Sequence, residues 1–304
     1  MEDKILYIEN LRKKILNHML IILGTSITPA LFIFFPLSLS AGILPASLFI
    51  LIFTTVILFL ILGAITGYFK KYKEYKHIYK KAFVEGPFNH AFDKVRCDFK
   101  KGIRKDVIEA TKIIMLGNRY YSNDYISGSY NNVDFERSDV LIQNHTSNGK
   151  NSHTVTYFQG RWLIFEFNKK FHFDLQIIGK GFTYSNKRNG FFTSKDNRRR
   201  KVEFEDIQFN KDFKVYAQDD FEAFYILTPQ FIDTLKNMSN TMDGKFMMGF
   251  IDNKLHVAIN TGKDAMEPSI FRSIKNTNHG EVEKEINVII NIIEGLNLDR
   301  DLYN

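Results

Sequence analysis

The chain has 304 residues, 25% of them charged, and a formal net charge of +7 at pH 7. Its one cysteine excludes an internal disulfide and a multi-cysteine metal site, which is typical of a reducing compartment. The positive charge is compatible with RNA binding, but the sequence has no basic and aromatic recognition motif. We therefore predict no nucleic-acid partner.

The N-terminal region carries the most uneven composition. Between Ile15 and Phe69 there is no Asp, Glu, Lys or Arg, and a hydrocarbon environment selects for such a stretch. Pro36 and Pro45 bracket a short segment that divides it. We predict two transmembrane helices, at about 15–35 and 43–68 within a membrane region 15–69.

The distribution of cations predicts the orientation of these spans. Arg12, Lys13 and Lys14 precede the first span, lysines follow the second, and the connecting loop is uncharged. Cytoplasmic flanks carry such cations, so segment 1–14 and the main domain should both be cytoplasmic. A cleavable signal peptide ending in the small residues 38–41 is the alternative, although it would be long and would begin with acidic residues.

Residues 70–117 are predicted to form a basic, helical juxtamembrane region. Phe88, Phe92, Val95 and Phe99 recur at helical spacing. The pattern from Asp106 to Glu109 is that of a capping box, which opens a helix that Gly117 would close.

Residues 118–304 are predicted to form one cytoplasmic domain. Short β-branched or aromatic segments predict a meander, with turns at 131–132, 159–160 and 168–169. Its strands are 124–130, 133–135, 138–143, 152–158, 161–167 and 173–178. Later strands at 201–204 and 214–217, a hairpin at 246–259 and an amphipathic helix over 282–296 follow. The predicted fold class is α+β, with an N-terminal transmembrane helical hairpin followed by an antiparallel β meander and flanking helices.

The run from Phe213 to Pro229, FKVYAQDDFEAFYILTP, and the earlier FQGRW at 158–162 are the most distinctive motifs. Here the chain resembles, over roughly 68–296, an uncharacterised bacterial membrane family catalogued as domain of unknown function 3137. The resemblance implies two N-terminal spans in a bacterial inner membrane, and it implies no activity. Its signature residues are Phe158, Gly160, Trp162, Phe213, Val215, Asp219, Glu222, Tyr225, Leu227, Thr228 and Pro229.

The same run also has a structural interpretation. Asp219 as N-cap with Glu222 at the third helical position would open one helix, and Thr228 followed by Pro229 would open another. Asp220 and Glu222 could form an acid and base pair, but residues two apart on a helix do not face each other. An enzyme whose site the fold assembles near Asp219, Asp220 and Glu222 is an alternative.

Other catalytic and ligand-binding patterns are absent from the sequence. The histidines lack the spacing of a metal motif, and no Walker A loop or dinucleotide fingerprint occurs. We predict no metal and no cofactor. Cys97 lies near Lys94 and Arg96, which could activate its thiol, or it is a buried, unreactive thiol.

Two basic features are candidates for contact with lipid or phosphate. The first follows the second span and the second lies on a predicted loop: Lys70, Lys71, Lys73, Lys76, Lys80 and Lys81, and Arg198, Arg199, Arg200 and Lys201. The first group also serves as a topology signal. The sequence thus predicts a non-enzymatic, membrane-anchored module that binds a partner protein, an anionic lipid headgroup or a small ligand.

Overall fold

The computed structural model describes residues 2–37, 44–114, 116–149, 151–166, 174–182, 199–251, 253–264, 266–274 and 280–298. The chain divides into two compact units. One unit consists of Met1–Val84 and Glu267–His279, and the other of Glu85–Met266 and Gly280–Asn304. These divisions differ from the predicted boundary at 117 and 118, because a strand before residue 100 already joins the sheet of the second unit.

The first unit is helical. Helix α1 spans Glu2–Leu37, helix α2 spans Leu44–Lys80, and a π-helical turn covers Lys81–Glu85. Tyr75 and Tyr79 recur one helical turn apart and pack with Ile8 and Ile15 of α1. Residues 267–274, which we call the strap, add Ile270 and Ile274 to this core.

Among the residues that the structure describes, we find no helix that combines the length and the apolar character needed to cross a membrane. The side chains of residues 25–57 and the predicted connection at 38–43 lie outside the described residues. The two predicted spans therefore stay a prediction.

The described strands of the second unit form one antiparallel sheet of nine, in the order β1-β2-β3-β4-β9-β8-β5-β7-β6. Together with the helices around it, this sheet confirms the α+β class. The strands are β1 Asp93–Asp98, β2 Arg119–Tyr130, β3 Val133–Ser147, β4 Ser152–Glu166, β5 Leu175–Gly179, β6 Arg200–Val202, β7 Phe213–Ala217, β8 Lys245–Ile251 and β9 Lys254–Asn260.

Short and long helices flank the sheet, and side-chain caps fix where several begin. Asp206 caps α5 by accepting from the Phe209 amide, and Thr228 caps α7 by accepting from the Phe231 amide. The helices of this unit are α3 Gly86–Ala91, α4 Lys105–Ala110, α5 Ile207–Asp212, α6 Asp220–Ile226, α7 Pro229–Thr241 and α8 Gly280–Gly295.

The two faces of the sheet carry different cores. On one face, Phe158 and Trp162 of β4 pack with Val140 and with Ile108 of α4. On the other face, Phe231 of α7 meets Phe250 of β8, with ring centroids 6.0 Å apart. Since side chains alternate along a strand, neighbouring residues of β3 and β4 enter opposite cores.

The predicted turn at Gln159 and Gly160 is wrong, because β4 continues through it. Gly160 serves instead for close approach to β9: a Cβ there would lie 2.0 Å from the carbonyl oxygen of Ile259. The β3–β4 hairpin turns after Ser147, where the Asn148 amide donates to the Asn151 carbonyl at 3.1 Å and Gly149 has a φ of 83°. The turn at Asn131 and Asn132 is confirmed, since both residues have positive φ as a type I′ turn requires.

The predicted helical region 70–117 is partly wrong. Residues Asp93–Asp98 form β1, because pairing with β2 satisfies their backbone groups. Arg104, rather than Asp106, is the N-cap of α4, and the helix ends at Ala110 rather than near Gly117. The predicted turns at 168–169 and at Asp252 lie outside the described residues.

Candidate functional site

A buried ionic network lies between the sheet and α8. Arg137 of β3 donates from Nε to Oε1 of Glu285 at 2.7 Å and from a terminal nitrogen to Oδ1 of Asp139 at 2.7 Å. Arg161 of β4 binds the other oxygen of Glu285. Side chains of all four residues are at most 9% exposed. The network thus ties α8 to two adjacent strands.

Burial and pairing shift the pKa values in this network. Burial disfavours the charge on Glu285, but Arg137 and Arg161 outweigh burial and lower the pKa of Glu285. Burial raises the pKa of the Asp139 carboxyl to about 8, against the lowering effect of Arg137 and with a further raising effect of Asp264. Asp139 therefore lies where a second positive charge would be favourable.

Three aspartates meet at the edge of this network, and we call them the aspartate cluster: Asp124, Asp139 and Asp264. One carboxylate oxygen of each lies within 4.8 Å of the other two. Asp124 is fully buried in a bulge of β2 with a φ of 56°, and its Oδ2 accepts from Asn123 at 3.0 Å. Asp264 is exposed and follows β9.

Sequence reasoning missed both the network and the cluster. Arg137 falls in the gap between two predicted strands, and Arg161 was only a variable position of the signature. The one available signal was Glu285, a carboxylate at a core position of the apolar stripe of α8, next to Ile286. A charge on a buried stripe needs a partner from elsewhere in the fold.

A shallow groove of about 290 Å³ lies on the face of β1 to β4. Its lining carries charges of both signs and contains the ion pair of Lys254 with Glu166 at 3.4 Å. The charged residues that line it are Lys94, Arg96, Lys254, Asp134, Glu136 and Glu166. Such a lining suits a small ligand or peptide end that carries both signs of charge.

Most apolar signature residues belong to the core. Phe158, Trp162, Phe213, Val215 and Leu227 are at most 3% exposed. The Trp162 indole donates to Nδ1 of His256 at 3.2 Å. Burial and Lys254 lower the pKa of His256 to about 4, so the imidazole is neutral at pH 7.

The polar signature residues shape helix ends. Asp219 accepts from the Phe221 amide at 2.9 Å as N-cap of α6, Glu222 lies in the first turn of that helix, and Pro229 is the first residue of α7. This arrangement confirms the capping role of Asp219 and gives Asp220 no contact with a second catalytic group among the described residues.

Helix α6 also presents an exposed aromatic face. Phe221 is 83% exposed, and Phe224 and Tyr225, one turn further along, are each about half exposed. Phe224 leans against Phe204, with ring centroids 5.0 Å apart. Aromatic residues at such exposure mark interaction surfaces more often than isolated aliphatic ones do.

The predicted lipid-contact lysines fall into two groups. Lys70, Lys73 and Lys81 are exposed on α2 and the turn after it, and Lys71 contacts Nδ1 of His18 at 3.1 Å. Lys76 and Lys80, in contrast, form ion pairs with Glu267 of the strap, and Lys80 is buried.

The predicted arginine loop is partly described. Arg199 binds Asp174 at 2.7 Å, and Lys201 binds Glu203 at 2.7 Å. Arg200 is exposed on β6, and Arg198 lies outside the described residues.

Cys97 is a half-buried residue of β1. Burial, with a smaller contribution from Glu85, raises the pKa of its thiol to about 12. The interpretation of Cys97 as an activated thiol is therefore wrong, since a reactive cysteine needs a depressed pKa.

Comparisons with known proteins point to a family without an assigned activity. No curated protein matches the chain. The crystal structure of the mycobacterial trehalose monomycolate transport factor A, TtfA, is similar to 72% of this chain and 93% of its own chain, at 8% identity and a TM-score of 0.37. Residues 156–298 match the family described as protein of unknown function (DUF3137). The predicted resemblance is thereby confirmed over residues 156–298.

Proposed function

We propose that this protein is a non-enzymatic, membrane-anchored binding module, whose α+β domain contacts a partner protein at the cytoplasmic face of a bacterial inner membrane. The anchor would be the hairpin of residues 15–69. The observation that carries the binding function is the exposed aromatic face of α6.

The anchor is supported by composition and by the described ends of the two long helices. The stretch 15–69 lacks charged side chains. Among its described residues, large apolar side chains are at least half exposed: Leu20, Ile21, Leu23, Leu58, Leu62 and Phe69. Burying each of these side chains would contribute about 1.5–3 kcal/mol of favourable transfer free energy relative to exposure to water, and a bilayer would bury them.

The aromatic face supports a protein partner. The caps of α6 and α7 require Asp219 and Thr228 but none of the exposed aromatics, so the local fold does not explain Phe221. Aromatic side chains contribute most of the energy at many protein interfaces. The exposed Asp220 lies beside these aromatics, so the surface fits a protein better than it fits an anionic lipid headgroup.

Photo-crosslinking in intact cells tests this function. A photoreactive phenylalanine analogue at position 221 should crosslink one discrete partner band, and Phe221→Ser should abolish copurification of that protein. The matched control is Ile207→Ser on α5, where the wild-type side chain is 71% exposed. Recovery of the same partner with Phe221→Ser, or no discrete band from position 221, would refute the proposal.

Anionic-lipid binding is a second candidate, favoured by the exposure of Lys70, Lys73 and Lys81. Anionic headgroups attract such lysines by about 1 kcal/mol each. In nanodiscs with anionic lipid, changing these three to Gln should reduce the salt-sensitive enrichment of anionic lipid around the protein. Lys76→Gln is the control, because Lys76 is paired with Glu267. Equal enrichment for the triple variant and wild type would leave these lysines as topology signals only.

A further inference from the structure

We infer that the aspartate cluster binds one hard divalent cation, Ca²⁺ or Mg²⁺, through carboxylate oxygens of Asp124, Asp139 and Asp264. The sequence pattern predicts no such site, because the three residues come from β2, β3 and the loop after β9. The fold brings one oxygen of each within 4.8 Å of the others.

The distance between ligand atoms fits such an ion. Ligand oxygens lie about 2.3–2.6 Å from Ca²⁺ and about 2.0–2.1 Å from Mg²⁺. Oxygens on opposite sides of either ion would thus be separated by roughly 4–5 Å, which the cluster already approaches. An all-oxygen, all-carboxylate set is the chemistry that these hard cations prefer.

Asp139 gives an independent reason to expect a ligand. Its Oδ1 is held by Arg137, but its Oδ2 is buried and has no hydrogen-bond partner among the described residues. A buried carboxylate oxygen without a donor is costly, and the side chain is only 4% exposed. A cation between Asp139 and Asp264 would complete its coordination.

The charges around the cluster support the same conclusion. Two arginines, Arg137 and Arg161, stand against four carboxylates, those of Glu285 and the aspartate cluster. Carboxylates thus outnumber arginines among these six groups, an imbalance that a bound cation would reduce. Glu285 is bound by both arginines, whereas Arg137 alone of the two reaches the aspartate cluster with a side-chain hydrogen bond, to Oδ1 of Asp139.

The backbone places the ligands and leaves a route for the ion. The bulge in β2 turns Asp124 inward with a positive φ, and bulges often re-aim side chains at functional sites. The loop to Asp264 begins with Thr261 and Gly262, whose amides donate to the Gln159 carbonyl at 3.1 and 2.9 Å. Since Asp264 is exposed, waters could fill the remaining coordination positions.

Equilibrium dialysis of the full chain in detergent, with Ca²⁺ or Mg²⁺ against a constant KCl background, tests the inference. We expect one ion per chain and a rise in the unfolding temperature on binding. Asp264→Asn should weaken binding at least tenfold without unfolding the ion-free protein, because its side chain is exposed. Asp139→Asn should abolish binding of the ion. The amide oxygen of the new side chain can still accept the hydrogen bond from Arg137.

The matched control is Asp233→Asn, which removes an exposed carboxylate of α7 outside the cluster and should change the affinity less than twofold. Two results would overturn the inference. One is no saturable binding at about 5 mM of either ion, above the roughly 10⁻⁴–10⁻³ M dissociation constants of weak calcium sites. The other is wild-type affinity in Asp264→Asn, a variant that does not depend on the folding of Asp139→Asn.

Discussion

Both compact units bury an arginine and a glutamate, but they satisfy these charges differently. In the helical unit, Arg12 donates hydrogen bonds to both carboxylate oxygens of Glu9 and to the Ile270 carbonyl, the latter at 2.6 Å. Glu9 also accepts a hydrogen bond from the Ile274 amide at 3.0 Å. We call Glu9 and Arg12 the clasp, because they hold the strap.

In the sheet unit, by contrast, Asp139 Oδ2 and Arg161 Nε remain without a hydrogen-bond partner in the described part of the chain. The two cases teach different lessons about buried charge. The clasp is complete and needs nothing further, so its role is to hold the strap on the hairpin. The network is incomplete at one edge, and that edge is where a cation fits.

The largest expected effect is on the sheet side of this comparison. Glu285→Gln leaves Arg137 and Arg161 buried without their shared counter-charge and should destabilise the protein by about 3–5 kcal/mol. Denaturant unfolding in detergent measures the change. Glu281→Gln, on the exposed face of α8, should cost less than about 1 kcal/mol. Equal effects of the two substitutions would mean that the network contributes no more than a surface pair.

Acid should remove the contribution of His256 to the sheet unit before it weakens the clasp, whereas protonation of Asp139, whose folded pKa is about 8, acts in the opposite direction. His256 has a pKa of about 4 in the folded protein, below the ordinary value of 6.5. The folded state therefore favours the neutral imidazole. Its contribution is complete above pH 6.5 and should be lost, on the order of 2–3 kcal/mol, as the pH falls to 4. In His256→Asn, which cannot titrate, this loss should be absent, so its free energy of unfolding should rise relative to that of the wild type as the pH falls from 6.5 to 4.

The clasp should stay unchanged over most of that pH window and weaken only in stronger acid. Pairing with Arg12 lowers the pKa of Glu9 to about 2 from its ordinary value of 4.5. A depressed carboxylate pKa stabilises the fold above pH 4.5 and loses this effect only as the pH falls from 4.5 towards 2. Exchange protection of the Ile274 amide should therefore persist at pH 5. Its loss between pH 6.5 and 5 would contradict this assignment.

A smaller effect is expected when the clasp itself is changed. Arg12→Met should release the strap and cost about 1–3 kcal/mol, because it removes charge-assisted hydrogen bonds to Glu9 and one to Ile270. Hydrogen exchange should accelerate at Ile274 and leave the amides of β3 protected. Lys13→Met, which changes an exposed neighbour, is the control. Unchanged exchange in Arg12→Met would show that apolar packing alone holds the strap.

The sequence predicted local features well and long-range ones poorly. Asn131 and Asn132 carry their turn chemistry in the residues themselves, as do Thr228 and Pro229 at the start of α7. The prediction of a turn at Gly160 is wrong because this glycine is required by the close approach of the β9 backbone, about a hundred positions later in the sequence. Arg137 places a charge at a buried position of β3. That charge argues against a continuous strand unless its partner, Glu285, is known.

The candidate sites follow the same rule. Glu9 and Arg12 are three residues apart on a helix, so their pairing could be read from spacing, but the strap they hold could not. The aspartate cluster needs a bulge, a strand register and a loop end to coincide. None of these has a local sequence signature.

The central claim, a cytoplasmic domain held by a membrane hairpin, is tested most directly with two single cysteines on a Cys97→Ser background. Ser147→Cys lies at the exposed tip of the β3–β4 hairpin, and Ser40→Cys lies in the predicted connection between the spans. An impermeant maleimide should label position 40 in intact spheroplasts and position 147 only after permeabilisation. Labelling of position 147 in intact spheroplasts, or protection of position 40 in them, would contradict the account.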